Sequence, residues 1–330
     1  MTDILVDSAN MFFRARHVVR ADDPEEKAAM AIHIMFKSIN KVWRDFKGEH
    51  VIFCFEGRSW RKEVEPTYKA NRTAARAALT ATEAEEDRVF YEAFDKFKEW
   101  ITTKTNCTVL QHKNCEADDF IARWTQNHPD KQHVIVSSDS DFYQLLAPNV
   151  RQFNGISKQV ISLEGFKDER GARILDKKTK EPLAPPDPQW LLFEKCMRGD
   201  SSDNVFSAYP GVRTKGTKNK VGLIEAFGDR NDKGYNWNNL MLQRWTDHNE
   251  VEHRVRDRYE ANKTLIDLTR QPDNIKAALD ETISAAITKE PRKQVGVEFL
   301  RFCGKWDLQD IAKKPDDHVA YLNARYTNVS

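Results

Sequence analysis

The chain has 330 residues, with 52 Lys and Arg against 51 Asp and Glu and a formal net charge of +1. Charged residues make up 31% and apolar ones 40%, which is polar for a globular protein and too apolar for a disordered one. The length predicts two domains, or one large one with an appendage, and the balance excludes a uniformly basic nucleic-acid coat but not a chain that segregates its acids from its bases. No apolar run approaches the ~18 residues of a membrane-spanning helix. The start, Met1-Thr2-Asp3-Ile4-Leu5-Val6-Asp7, lacks the basic flank and long apolar core of a signal peptide. Cys54, Cys107, Cys115, Cys196 and Cys303 are scattered and form no Cys-x-x-Cys pair, so neither a zinc site nor a disulfide framework is expected, and a reducing cytoplasm is the natural setting.

The first half alternates strand and helix patterns. Ile4-Leu5-Val6 is a short apolar run ending in Asp7. Residues 25–46 read as a helix, with Ala29, Ile32, Phe36, Ile39 and Trp43 at three- and four-residue spacing. Val51 to Phe55 is a strand, Thr108 to Leu110 a short one, 116–127 a helix, and His133 to Ser137 another strand. Val150 to Phe153 and Val160 to Leu163 flank the turn signal Asn154-Gly155. Continuous apolar strands alternating with helices predict a mostly parallel, covered sheet. Residues 170–188, rich in Lys, Glu and Pro, read as a linker. Beyond it helical patterns dominate, at 188–197, 220–227, 238–245, 251–268 and 274–287. The boundaries predicted are an α/β domain over 1–186 and a helical domain over 187–330.

The acids stand at the ends of these strands. Asp7 closes the first, Glu56 follows the second, and Asp139 and Asp141 follow the fourth. In an open α/β sheet the carboxyl ends of the strands form the ligand crevice, so such acids converge. Glu116, Asp118 and Asp119 add three at a helix start, where the helix dipole alone also favours acids. Asp200 and Asp203 form a last pair, which also suits an Asx-turn and an N-cap. Converging carboxylates repel one another unless cations neutralise them, and oxygen ligands without His or Cys point to Mg²⁺ or Mn²⁺. Two such ions ~3.5–4 Å apart are the usual apparatus for phosphodiester cleavage.

The bases form two local excesses. Arg58, Arg61, Lys62, Lys69, Arg72 and Arg76 follow Glu56, interleaved with Trp60 and Tyr68 as platforms for base stacking. Arg213, Lys215, Lys218 and Lys220 lie in a glycine-bearing loop without acids that opens into a helix, where backbone N–H groups are expected to cradle phosphate. A solvated helix and a plain exposed loop are the competing readings of these two segments.

In this order the motifs resemble the 5′-nuclease superfamily: flap endonucleases, the 5′-nuclease domain of bacterial DNA polymerase I and, most closely, bacteriophage 5′→3′ exonucleases and phage ribonuclease H. The resemblance rests on Leu5-Val6-Asp7, on Phe55-Glu56-Gly57 with Tyr68-Lys69-Ala70-Asn71-Arg72, on Glu116-Ala117-Asp118-Asp119, and on Ser138-Asp139-Ser140-Asp141-Phe142. It continues through Gly199-Asp200-Ser201-Ser202-Asp203-Asn204, Pro210-Gly211-Val212, and Tyr259 to Asp267 with Pro272 to Ile275. It covers roughly residues 3–290. It implies a PIN-like core with a mostly parallel central sheet flanked by helices, a helical arch over 57–100, and a C-terminal helical domain with a helix–three-turn–helix element over 199–228.

The resemblance also implies roles. Asp7, Glu56, Glu116 and Asp118 would hold a first, catalytic Mg²⁺ or Mn²⁺. Asp139, Asp141 and Asp203 would hold a second, with Asp119 and Asp200 in support. Lys69 and Arg72 would meet the scissile phosphate, and Arg58, Arg61, Lys62 and Tyr68 the nucleic acid at the arch. Arg213, Lys215, Lys218 and Lys220 would grip duplex backbone, with K⁺ in the loop as in some relatives. The implied activity is structure-specific 5′→3′ nuclease cleavage of flapped or nicked duplex DNA and RNA–DNA hybrids, removing primers and flaps in phage replication. The expected protein is a monomer in the cytoplasm (the host's, if phage-encoded), docking replication partners such as single-stranded-DNA-binding protein. Two departures stand out. Glu56 fills a position usually held by Asp, and the loop does not spell G-I-G-x-K-T. Two other classes compete: a catalytically inactive structure-specific DNA-binding protein, and a haloacid-dehalogenase-type phosphatase, whose Asp-x-Asp motif Asp139-Ser140-Asp141 mimics although Tyr143 stands where Thr or Val belongs.

Overall fold

The computed structural model describes residues 1–19 and 21–327. In chain order they form β1 (Thr2–Asp7), α1 (Ser8–Ala15), α2 (Pro24–Asp45), β2 (His50–Cys54), α3 (Arg61–Val64), α4 (Ala70–Ala77), α5 (Ala81–Lys104), β3 (Thr108–Leu110), α6 (Ala117–Asn127) and β4 (Gln132–Val136). A 3₁₀ turn over Ser140–Leu145 leads to β5 (Val150–Asn154), β6 (Gln159–Ser162) and β7 (Gly165–Lys167). There follow α7 (Pro188–Arg198), α8 (Leu223–Gly228), α9 (Tyr235–Met241), β8 (Arg244–Thr246), β9 (Glu252–Arg254), α10 (Val255–Ile266), α11 (Asp273–Ile287), α12 (Val295–Lys305), α13 (Gln309–Ala312) and α14 (Pro315–Asn323). Among the described residues no helix is long and apolar enough to cross a membrane.

The chain divides into two compact units. The first comprises Met1–Ser59, Leu79–Pro186 and the chain from Pro272 onward. Its sheet has the order β3-β2-β1-β4-β5-β6-β7. The pairs from β3 through β5 are parallel, and β6 and β7 fold back antiparallel. As expected, Asn154-Gly155 turns β5 into β6, with Asn154 Oδ1 accepting the N–H groups of Ile156 and Ser157. β1, β2 and β4 read as apolar runs because helices cover both faces. On α2, Pro24 at the first turn and the Asp23 side chain accepting the Glu25 N–H start the helix, and Ala28, Ala31, Ile32, Met35, Phe36, Ile39 and Val42 form the buried stripe. On α5, a Thr80–Glu83 capping box starts a helix that buries Phe90, Phe94, Phe97 and Ile101.

The second unit comprises Trp60–Ala78 and Asp187–Gln271. It packs Phe193, Met197, Val205, Leu223, Leu240, Val255, Tyr259 and Leu265 into a separate core, with Tyr68 inserted among them. The domain boundaries differ from expectation in two ways. The chain after Pro272 returns to the α/β unit, because α12 and α14 supply Phe299, Phe302 and Tyr321 to the cluster that holds Phe36, Phe53 and Phe97. The start of the expected arch belongs to the helical unit. The helical region also contains the hairpin β8–β9, at positions whose helical periodicity misled.

Three residues assigned to nucleic-acid contact are inside this second unit. Arg61 is fully buried, its Nε–H donating to the Leu265 carbonyl at 2.7 Å and its guanidinium lying over the Trp60 ring. Trp60 is buried with it, and Tyr68 is only 3% exposed. None of these rings or charges is presented to a ligand, so the stacking platforms and the Arg61 contact are withdrawn.

Arg61→Ala should lower the unfolding free energy by about 3 kcal/mol, since it strands a buried carbonyl and leaves a void. Urea denaturation followed by Trp fluorescence measures this, and Lys at the position should restore little.

A second expectation concerns acid. Burial pushes His50 and His318 down to about 4, so both are neutral in the fold. The unfolded chain takes up those protons first. Stability from each is full above ~6.5 and is lost as pH falls toward 4, by about 3 kcal/mol per residue. In a urea titration across this range, His50→Gln should flatten the pH dependence.

Candidate functional site

In the first unit, register brings the acids together. β1 lies between β2 and β4, with Asp7 opposite Cys54 and Val6 opposite Val136. Asp7, Glu56 and Asp139 therefore emerge from adjacent strands at one edge of the sheet. Asp7 is only 6% exposed and caps α1, its Oδ1 accepting the Asn10 N–H at 3.2 Å. Its Oδ2 accepts the Ser137 hydroxyl at 2.9 Å.

The loop that carries Asp139 and Asp141 is pinned from two sides. Asn10 Oδ1 accepts the N–H and hydroxyl of Ser138, and Gln152 Nε2 donates to the carbonyls of Ser137 and Asp139 at 2.9 and 2.7 Å. Asp139 Oδ1 accepts the Asp141 N–H at 3.0 Å. Burial, and after it the negative charge of Asp139, raise the Tyr143 phenol above its ordinary value.

The N-terminus of α6 supplies the densest group. Glu116, Asp118 and Asp119 each offer a carboxylate oxygen, all within 4.8 Å of one another, and Glu116 and Asp119 are buried. The Asp119 Oδ2 accepts the Glu116 N–H at 3.0 Å, and Glu116 Oε2 accepts the Ser59 hydroxyl at 2.6 Å. Glu56 joins them, its Oε2 accepting the Ala117 N–H at 3.2 Å. Its extra methylene thus reaches the helix N-terminus. Gly57 makes this approach possible. Its N–H donates to the Cys115 carbonyl at 2.9 Å, and a Cβ there would stand 2.0 Å from the His112 carbonyl oxygen.

Such crowding of buried like charge is unfavourable by itself. Helix N–H groups and hydroxyls offset part of it. The donor set, oxygen only, partly buried and convergent, fits a hard divalent ion such as Mg²⁺ or Mn²⁺.

In the second unit, two motifs read separately in the sequence lie against each other. The turn Gly199 to Asn204 receives Tyr68, Lys69, Asn71 and Arg72. The Tyr68 hydroxyl and the Arg72 guanidinium meet Asp203 at 2.8 and 2.6 Å, with Lys69 Nζ at 3.6 Å. Asn71 Nδ2 donates to the carbonyls of Ser201 and Ser202, and Asn204 Nδ2 to that of Thr67. Asp200 forms the Asx-turn that its sequence allows, accepting from Ser202, and pairs with Lys195 at 2.8 Å. Burial would raise its carboxyl, but Lys195 and Ser202 outweigh it and hold it below the usual range. Lys195 carried no signal in the sequence beyond its place one helical turn before the motif.

The basic loop differs from expectation in one respect. Arg213, Lys215, Lys218 and Lys220 are exposed. The backbone N–H groups of Gly216, Gly222, Leu223 and Ile224, however, are taken within the protein, by Glu225 and by the carbonyls of Arg213 and Thr214. The charged side chains, and not these N–H groups, face outward.

Residues 2–171 match the family of the 5′-3′ exonuclease N-terminal, resolvase-like domain. The chain belongs to this family. It is 26% identical over 264 residues to DNA polymerase I of Rhizobium leguminosarum, a match covering 76% of this chain but only 22% of the polymerase. It is 27% identical to the 5′-3′ exonuclease of Buchnera aphidicola, covering 68% of this chain and 70% of that one. The flap endonuclease Xni of Aeromonas hydrophila is also 27% identical, with 68% and 76% covered. Among solved structures, T5 5′-exonuclease with zinc ions bound has a TM-score of 0.61 at 18% identity, covering 87% of this chain and 99% of that one. A bacteriophage T5 flap endonuclease complex with DNA and metal ions has a TM-score of 0.58 at 19% identity, covering 95% and 100%. These likenesses establish the fold, a mostly parallel sheet flanked by helices with a helical region beyond it. Membership of the family sets aside the phosphatase reading.

Asp118→Asn should remove one of the crowded charges without touching the capping bonds of α6. The metal-free variant should be more stable than the parent, by about 1 kcal/mol. Mn²⁺ should raise the Tm of the parent but not of the variant, and differential scanning calorimetry with and without Mn²⁺ reads both signs.

Proposed function

We propose that the protein is a divalent-metal-dependent, structure-specific 5′→3′ nuclease that cuts phosphodiesters near the 5′ ends of flapped or nicked duplex DNA and of RNA–DNA hybrids. The observation that carries this reading is the convergent carboxylate group of Glu116, Asp118 and Asp119 at the edge where Asp7, Glu56 and Asp139 emerge. Asp7, Glu56, Glu116 and Asp118 would hold one Mg²⁺ or Mn²⁺, Asp139 and Asp141 a second, and Asp119 would support the first from its capping position; Asp203 and Asp200, expected at the second ion, are instead engaged within the helical unit by Lys69, Arg72 and Lys195. Two such ions, when bound, supply hydroxide from water and neutralise charge developing on the phosphate.

The chain's own residues prepare this chemistry. Ser137 and the Asn10 N–H hold both Asp7 oxygens at set positions, and Ser59 does the same for Glu116. Gln152 fixes the backbone that presents Asp139. Carboxylates already oriented in this way need no reorganisation when the substrate arrives. Lys69, Arg72, Arg58 and Lys62 meet the phosphates of the single strand, with Asp203 orienting the first two. Arg213, Lys215, Lys218 and Lys220 take the duplex backbone. Removal of RNA primers and flaps in phage replication is the role that fits this substrate range.

A 5′-flapped, end-labelled duplex incubated with Mg²⁺ should be cut, and chelator should stop the reaction. Asp139→Asn should reduce cleavage at least 10³-fold, on the scale of lost electrostatic stabilisation, with DNA affinity within about threefold of the parent, because affinity rests on the basic segments. Tight binding without cleavage by the parent protein would instead mark a catalytically inactive DNA-binding protein.

A further inference from the structure

An acid stands inside the basic loop. Glu225 lies in the first turn of α8, and its carboxylate reaches back across the loop from Arg213 to Gly222. Both of its oxygens accept the Gly216 N–H, at 3.1 and 2.9 Å, and Oε2 also accepts the Gly222 N–H at 3.0 Å. The two strands of the loop are laced alongside: Leu223 N–H to the Arg213 carbonyl at 3.0 Å, Ile224 N–H to Thr214 at 2.9 Å, and Thr217 N–H to Lys220 at 2.8 Å.

The closure leaves no room. A Cβ at Gly216 would stand 2.6 Å from the Lys220 oxygen, and one at Gly222 would stand 2.3 Å from the Gly216 nitrogen. The glycines at these two positions therefore answer to the carboxylate, where the sequence suggested that they answered to a phosphate. Hydrogen bonds from its own N–H and from both glycines, with Lys215 nearby, hold the Glu225 carboxyl below its ordinary range.

Electrostatically this acid is a liability. It places a negative charge among four bases that would meet phosphates, and like charge at a binding surface costs affinity. Its return must come through shape. Arg213, Lys215, Lys218 and Lys220 all stand on the loop that it closes and point to solvent. Successive phosphates on one strand are a few ångströms apart, so the spacing of the bases decides how many can be neutralised together.

We propose that Glu225 is a positioning residue for duplex binding: by closing the loop on Gly216 and Gly222 it sets the spacing at which Arg213, Lys215, Lys218 and Lys220 meet backbone phosphates. The inference rests on the reading of this loop as the duplex grip.

The test uses the full chain and a fluorescein-labelled blunt duplex, with anisotropy read over a salt series in chelator so that no cleavage occurs. Glu225→Gln keeps the size but not the charge. It should raise Kd about tenfold and reduce the salt slope by ~1–2, as when one or two phosphates are no longer neutralised. In steady-state turnover of the flapped duplex with Mg²⁺ it should raise KM and leave kcat unchanged. Leu223 and Ala226, the buried residues of α8, are untouched, and Gly216→Ala, which blocks the same closure from the other side, should reproduce the effect. An unchanged or lower Kd in Glu225→Gln overturns the proposal; a lower one would mean that the carboxylate merely holds the place of a phosphate. Replacing Lys215, Lys218 and Lys220 by Ala is the control. If that variant keeps the parent Kd and salt slope, the duplex-grip reading itself fails, whereas a weakened lysine variant beside an unchanged Glu225→Gln removes only the role given to Glu225.

Discussion

Negative charge held where it cannot relax is the constraint to which the α/β unit answers. Asp7, Glu116 and Asp119 are nearly inaccessible, and three carboxylates of α6 lie within one cation's reach. Buried carboxylates at such separations repel one another. Here they are not free to move apart. β1, β2 and β4 are fixed by a parallel ladder through a close-packed core, and the connecting segments are bonded to one another through Gly57 to Cys115 and Gln152 to Asp139. The unfavourable field is stored by the fold, and a cation bound there would release it. Oxygen donors so arranged would select a cation by charge density before any detail of coordination is considered.

The helical unit works with the opposite sign and sorts its bases into three grades. Arg61 is wholly inside and serves stability. Lys69 and Arg72 are half committed, to Asp203. Arg213, Lys215, Lys218 and Lys220 are exposed on a loop whose shape is set from within. The near equality of acids and bases in the whole chain therefore says little about its surface. Acids clustered at the strand ends of one unit and bases exposed on a loop of the other cancel in the total.

Much of this was legible in the sequence, for a physical reason. The apolar runs of β1, β2 and β4 and the stripe of α2 are local signals, and the acids after three strands needed only the rule that parallel strands end together. What escaped depended on distant residues. Arg61 and Tyr68 look like surface groups because nothing nearby shows that Leu265 and Asp203 will cover or bind them. The return of α12 and α14 to the first core was invisible for the same cause, since Phe299 and Tyr321 gain meaning only against Phe36 and Trp43. Glu225 escaped because a glutamate in a first helical turn is ordinary, and only the position of Gly216 shows what else it binds.

The pairing of Asp203 with Lys69 and Arg72 raises the question of whether it restrains the bases or prepares them. Magnitudes decide. The Arg72 side chain is 57% exposed, and an ion pair so open to water is worth at most about 1 kcal/mol. A phosphate, doubly hydrogen-bonded by a guanidinium and surrounded by other bases, competes easily with that. The Arg72–Asp203 pair is thus too weak to act as a lock. Its geometric effect is larger than its energy: with Asn71 bonded to the Ser201 and Ser202 carbonyls and Asn204 to Thr67, the backbone of 67–72 is held even when Arg72 lets go. Asp203 therefore keeps Lys69 and Arg72 close together, and holds Arg72 at little cost to its release.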